Sequence, residues 1–323
     1  VSTANPVPET RGLGGGDARR TLRDCGRTKL VRDAFVRLRV ADGFSHARSL
    51  AYATGLVLVQ AIISVVGLAT ALGRGEVSKV IVRTFQSAVP GPAGRFLTET
   101  TTQAHHAGAT HRYAGLIFGL VGALISGSTL FGQLERGFNR LYGVEQDRPS
   151  VKKYSLALLF TISAGTLVAI AFAALAFGRT IGNSFQNHTL DNTWAVVRWP
   201  LALALLTVAI TFLLRYSPRR EQPHLSWLAF GATVGVALWT LSTIGLGLFL
   251  SASKSFGTTY GPLAGVVALQ LWAFFSAVSL LMGGAVAAQL EAVRAGESRP
   301  QDPQKVAHSE PEQQTPTLAG AKT

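Results

Sequence analysis

The sequence predicts an all-α, polytopic membrane protein with six transmembrane helices and amphipathic helices lying in the interface. Three observations carry this. Of 323 residues, 48% are hydrophobic and only 15% are charged, and mean hydropathy is +0.29. The charges are also segregated, so that several stretches of 20 or more residues carry none, long enough to cross the hydrocarbon core as helices. Finally, the net charge of +13 resides mainly in the termini and short connectors. Topology control and attraction to anionic lipid account for that placement better than nucleic acid does.

Residues 1–28 are rich in Gly, Arg and Pro with almost no bulky apolar side chain, a composition that predicts a disordered N-terminus. Arg19, Arg20, Arg23 and Arg27 precede no apolar run before about residue 50, which argues against a signal peptide. The lone Cys25 excludes an intrachain disulfide. From residue 29 a periodic pattern begins: Leu30, Val31, Ala34, Phe35, Leu38 and Ala41 share one face, flanked by Arg32, Arg37 and Arg39. That is an interfacial helix, bent at Gly43 into the first span.

The first span is expected over 50–72, with Gln60 its one strongly polar side chain near mid-depth. A connector over 73–112 carries a short amphipathic helix at about 77–88, broken by Pro90, Gly91 and Pro92, that lies on the outer face or caps the bundle. The second span, 114–134, has Gly115 and Gly119 four apart, a spacing that lets helices approach closely. Its apolar periodicity continues through Phe138, Leu141 and Tyr142, so this helix emerges and runs along the surface until Gly143, stopped by Asp147, Arg148 and Pro149.

The third span is expected over 156–177 and the fourth over 194–214. In the fourth, Trp194 and Trp199 sit in the aromatic belt, Arg198 is shallow enough to snorkel, and Pro200 falls in the first turns. Arg215, Arg219 and Arg220 form a basic turn bounded by Pro218 and Pro223. The fifth and sixth spans, 225–250 and 262–288, read as antiparallel neighbours, with Pro262 as the first helical residue of the sixth. The membrane domain is thus 29–291, and 292–323, rich in Pro, Gln and Glu, reads as a disordered tail. Of the 30 Lys and Arg, 22 fall on the side of both termini and 7 on the other, with Arg198 set apart. The positive-inside rule therefore places both termini in the cytoplasm.

Three stretches carry a resemblance. LAY at 50–52, ERGFNRLYGVEQDRP at 135–149 and TTYGPLAGVVALQLWAFFSAVSLLMGGA at 258–285 resemble the YihY/BrkB family of bacterial inner-membrane proteins. The resemblance runs from about 29 to 291 and is strongest at 139–149, 259–265 and Leu271-Trp272. It implies a six-helix envelope protein, once labelled a ribonuclease by mistaken assignment, with roles in envelope integrity or lipid-related export. The chain departs from the family pattern twice. It has Gln60 where members often carry proline, and Ala285 and Ala287 where many carry an acidic residue and an asparagine.

No Asp, Glu, Lys or His lies near mid-depth in any span, which lowers coupled ion transport as a function. Trp239 and Trp272 reach similar depth on the last two spans. Their indole N–H groups require acceptors, which Gln270 or Ser242 and Thr243 can supply, or the rings line an amphipathic groove. Gln60, Trp239, Gln270, Trp272 and Tyr260 are the candidate substrate contacts. His105, His106 and His111 lack the spacing of a metal site, and no catalytic triad, phosphate loop or nuclease motif appears, so neither metal, cofactor nor enzyme activity is expected. Arg136, Arg140, Arg148, Arg219 and Arg220 are the candidate contacts for anionic lipid head groups, with Arg136 and Arg140 one turn apart as a clamp. Glu135 and Asp147 are the alternative partners of Arg136 and Arg140. Membrane lipids are the expected partners and nucleic acid is not. Two functions follow: movement of an amphipathic envelope molecule such as a lipid, or a non-transporting envelope scaffold.

Overall fold

The computed structural model describes residues 2–71, 91–96, 99–100, 103, 114–146, 148–149, 151–152, 155–163, 166, 188–253, 256, 259–260 and 263–304. They form helices α1 (Gly15–Cys25), α2 (Arg27–Val40), α3 (Gly43–Ala71), α4 (Ala114–Leu141), α5 (His188–Tyr216), α6 (Leu225–Ala252) and α7 (Ala264–Arg294). The last five are each long and apolar enough to cross a membrane. They correspond to five of the six expected spans. Of the third, residues 155–163 are helical and the remainder lies outside the described residues apart from 166. The outer-connector helix, Pro90, the three connector histidines and Pro262 also fall outside them.

Helix α3 packs against α4 and α7, α7 against α6, and α6 against α5. Phe160, in the helical stretch 155–163, meets Phe131 of α4 and Tyr216 of α5, at ring separations of 5.8 and 6.3 Å. Both described ends of the chain lie at one end of this bundle, here called the base. Residues 91–96 pack at the other, where Ala93 is buried with Leu250 and Ala264.

The pairing of α6 with α7 brings two backbones into direct contact. A Cβ added at Gly231 would sit 2.6 Å from the Gly283 carbonyl oxygen, and one at Gly283 would sit 2.7 Å from that of Gly231. Gly235 opposes the same turn, at 3.5 Å from Gly283 Cα. Three glycines thus let two backbones touch, the usual way apolar helices gain contact where lipid offers no hydrophobic drive. Between α3 and α4 the equivalent positions are Gly119 against Ser64 and Gly122 against Gln60.

Several expectations are corrected. Residues 2–28 are placed rather than disordered: α1 forms, and Ala4, Val7 and Ala18 are buried. Their order comes from main-chain pairing with the base. Thr3 N–H donates to Val40, Asn5 to Pro300 and Val7 to Tyr142, and Leu13 O accepts from His224. The tail is likewise placed to residue 304, joined to the N-terminus through an Ala4–Gln301 bridge and an Asp302 to Thr3 hydrogen bond. Helix α2 forms where the amphipathic pattern placed it. It packs on α7, burying Leu30, Ala34, Arg37 and Leu38 while Val31 and Phe35 stay exposed. Helix α5 starts at His188, so Pro200 lies well inside it and not in its first turns.

Candidate functional site

The five candidate substrate contacts do not converge. Trp239 and Trp272 meet edge to face at 6.5 Å. Each indole N–H is taken by a hydroxyl of the opposite helix: Trp239 donates to Ser276 at 3.0 Å and Trp272 to Thr243 at 3.2 Å. The pair is therefore a joint between α6 and α7. Thr243 was an expected acceptor; Gln270 is not one, and its amide instead faces Gly55 of α3. Gln60 lies against Gly122 between α3 and α4, with its Oε1 buried and without a partner. Tyr260 is exposed and packs on Phe256, 4.9 Å away.

At the base, the basic residues divide into structural and open ones. Arg140 donates to the carbonyls of Val144 and Glu145 through one nitrogen, NH1. Arg136 is exposed. Arg148 is an ion-pair partner of Glu135, at 3.4 Å, where the sequence pointed to Arg136 and Arg140; Asp147 lies outside the described residues. The Arg219 N–H donates to Asn139 Oδ1 at 2.7 Å. Arg220 is not on the surface at all. Its guanidinium meets Glu291 through two hydrogen bonds, NH1 to Oε2 at 3.1 Å and NH2 to Oε1 at 2.8 Å. The side chains are only 2% and 0% exposed.

This buried pair is the centre of a larger network. Thr10 donates to Glu291 through both its hydroxyl (2.7 Å) and its N–H (3.2 Å). Arg220 also donates to Pro8 O and stacks over the Tyr142 ring, 4.5 Å from its centroid. Arg37, fully buried, donates to Gln289 Oε1 at 2.7 Å and to the carbonyls of Asn5 and Leu141. Gln289 in turn donates to Ser298 O. The network joins the N-terminus, α2, α4, the α5–α6 turn and α7 in one knot.

Burial governs the ionisation here. It pushes the Arg37 guanidinium down to about 10, the nearby Arg220 acting in the same direction and Tyr142 and Glu291 opposing. A base depressed on folding represents a cost, present in full below about pH 10 and relieved only as pH rises toward the unfolded value. Its hydrogen bonds offset that cost. Burial and the Glu291 carboxylate hold the Tyr142 hydroxyl well above its usual range, so it remains a neutral phenol.

The stretch 139–149 supplies the knot's geometry. The Asn139 side chain accepts from Arg219 and its carbonyl from Val144. Gly143 turns the chain at φ +73°, where a Cβ would lie 2.6 Å from Pro6 Cα. Replacing Gly143 by alanine is expected to cost about 1–3 kcal/mol and to loosen the N-terminal segment. Limited proteolysis of residues 2–13 would register this as faster cleavage; unchanged cleavage would sever that segment from the turn.

Beside the knot opens a cleft of about 570 Å³, lined by Arg11, Arg148, Arg215, Tyr216, Glu221 and His224 among others. Sequence reasoning missed Arg37, Glu291 and Thr10 as partners and Arg11 and His224 as cleft residues. The proline-bounded basic turn at 215–224 was the available signal for the cleft.

Among known proteins, the chain is similar to the ribonuclease-like protein YfkH of Bacillus subtilis, 24% identical over 80% of this chain and 94% of that protein. It is also similar to UPF0761 membrane proteins of Xanthomonas campestris (29% identical, 84% of this chain and 63% of that protein) and Xanthomonas axonopodis (28%, 78% and 58%). The chain thus spans nearly all of the first but about three-fifths of the length of the Xanthomonas relatives. No solved structure matches it. The family profile described as Virulence factor BrkB matches residues 34–308, from within α2 to beyond α7, and the chain accordingly belongs to the BrkB family of membrane proteins.

Proposed function

We propose that this chain is a non-enzymatic protein of the bacterial plasma membrane that moves an amphipathic envelope lipid between leaflets, with both termini in the cytoplasm and the base as its cytoplasmic end. The observation that supports this reading is the uneven packing along the bundle. Residues 281–292 of α7 are buried without a break. Away from the base, large apolar side chains are exposed on α4 (Phe118, Ile125), α5 (Leu205, Val208) and α6 (Leu241, Leu248). A bundle knotted at one end, with apolar walls along the rest, suits a substrate that keeps its chains in hydrocarbon while its head group passes. The lack of a mid-depth carboxylate agrees with passage that is not coupled to an ion gradient.

A second reading, a non-transporting scaffold, draws on the Trp239–Trp272 joint, whose two interhelical hydrogen bonds tie α6 to α7. Reconstitution separates the two. Liposomes carrying the full chain and a fluorescent phosphatidylglycerol in the inner leaflet are expected to expose the label to an external quencher faster than empty liposomes do. Equal rates would remove the transport reading and leave the scaffold.

A further inference from the structure

We infer that the cleft at the base is a binding site for the phosphate-bearing head group of an anionic lipid, whose acyl chains run along Tyr216 and Phe212. The inference deepens the proposed function by naming its ligand class and rests on that reading only for the direction of movement.

The charge balance of the lining points to an anion. Of the four arginines that line the cleft with Glu221, Arg148 and Arg220 are matched by carboxylates of their own, Glu135 and Glu291. The open charges of the lining are therefore Arg11 and Arg215 against Glu221. Glu135 and Glu291 are 5% and 0% exposed and stand behind the wall. Glu221 pairs with Arg11, but those side chains are 57% and 76% exposed, so the pair is screened by solvent and readily exchanged for a stronger anion.

The manner in which the remaining cations are held matters more. Arg215 donates to the carbonyls of Gln222 and Pro223 and has no carboxylate partner among the described residues. Arg148 donates to the carbonyls of Tyr216, Ser217 and Pro218, though its charge is partly met by Glu135. Carbonyl oxygens fix a guanidinium without cancelling its charge, and each guanidinium has five N–H donors to share. Arg215 and Arg11 are therefore the wall's open cations, the first of them preplaced by carbonyls and with donors to spare.

A second feature identifies the source of the phosphate as lipid. Tyr216 lines the cleft and is 48% exposed, as is Phe212 one turn further into the membrane at 39%. Their rings stack at 6.1 Å and 9°, and Phe160 and Phe131 continue the aromatic column onto α4. An apolar strip leading straight out of a cationic cleft matches a molecule with a phosphate at one end and chains at the other. A free phosphate metabolite has no use for it.

The test uses the full chain in detergent micelles and native mass spectrometry with added dioleoyl phosphatidylglycerol or dioleoyl phosphatidylcholine. The wild-type chain is expected to retain phosphatidylglycerol in preference to phosphatidylcholine. Arg11→Gln and Arg215→Gln should each weaken phosphatidylglycerol about fivefold and leave phosphatidylcholine unchanged. Arg215→Lys, which keeps the charge, should recover most of the loss. If Arg215→Gln fails to fold, Arg11→Gln carries the test, since its side chain is exposed. Unchanged phosphatidylglycerol binding in Arg11→Gln, or no preference in the wild type, would overturn the site. Release of the lipid by millimolar inorganic phosphate would overturn its assignment to lipid. Binding that follows these variants without any leaflet movement in liposomes would refute transport and leave the cleft standing; movement indifferent to them would do the reverse.

Discussion

Glu291→Ala is expected to destabilise the protein by about 3–5 kcal/mol, the largest effect of any single side-chain truncation at the base. The carboxylate is fully buried and accepts four hydrogen bonds, two from Arg220 and two from Thr10. Its removal leaves a guanidinium with one remaining carbonyl, that of Pro8, and a tyrosine ring for company. An uncompensated buried charge is what makes such a truncation expensive; the net worth of the intact pair is far smaller. The double change Arg220→Met with Glu291→Leu should therefore recover much of the loss, because neither charge then remains to be solvated. Equilibrium unfolding in mixed micelles separates the outcomes. If the double variant is no better than Glu291→Ala, the pair is held for its hydrogen bonds to Thr10 and Pro8 and not for charge compensation.

The same residues show what the sequence reveals and what it conceals. The long apolar helices are legible because a span must be apolar along its whole length, whatever its neighbours. The turn at 139–149 is legible as a special place, since Gly143 and Pro149 mark it. Its role is not, because Asn139, Tyr142 and Gly143 act on Arg219, Arg220 and Pro6, far away in the chain. Arg37 is the plainest case. On an amphipathic helix a buried arginine has the same local pattern as a solvated one, and its partner Gln289 lies 252 residues away. The N-terminus misleads for a different reason. Composition reports whether a segment can build its own core, whereas residues 2–13 are ordered by hydrogen bonds to a surface already built. Glycine spacing is half a guide: Gly119 does bring α4 against the Ser64 backbone of α3, as expected, but nothing in the spacing singled out Gly231, Gly235 and Gly283, where two backbones meet glycine to glycine.

That approach yields the second large effect. Gly283→Leu is expected to cost more than about 3 kcal/mol, at or beyond the upper end for overpacked cores. The reason lies in what the new side chain meets. At Gly283 a Cβ would stand 2.7 Å from the Gly231 carbonyl oxygen and 3.1 Å from Gly235 Cα, both backbone. Neither can swing aside as a flexible side chain would, so α6 and α7 must part. Gly245→Ala on α6 provides the contrast, for a Cβ there meets nothing within 4 Å. It should change stability by less than about 1 kcal/mol. Parting α6 from α7 also has a local signature. The Trp239–Ser276 and Trp272–Thr243 hydrogen bonds cross the same interface, so Gly283→Leu should weaken the near-ultraviolet circular dichroism of the indoles while Gly245→Ala leaves it intact. Should Gly283→Leu melt like the wild type with its indole signal unchanged, the two helices are not in backbone contact. The joint would then have to be held by the tryptophans alone.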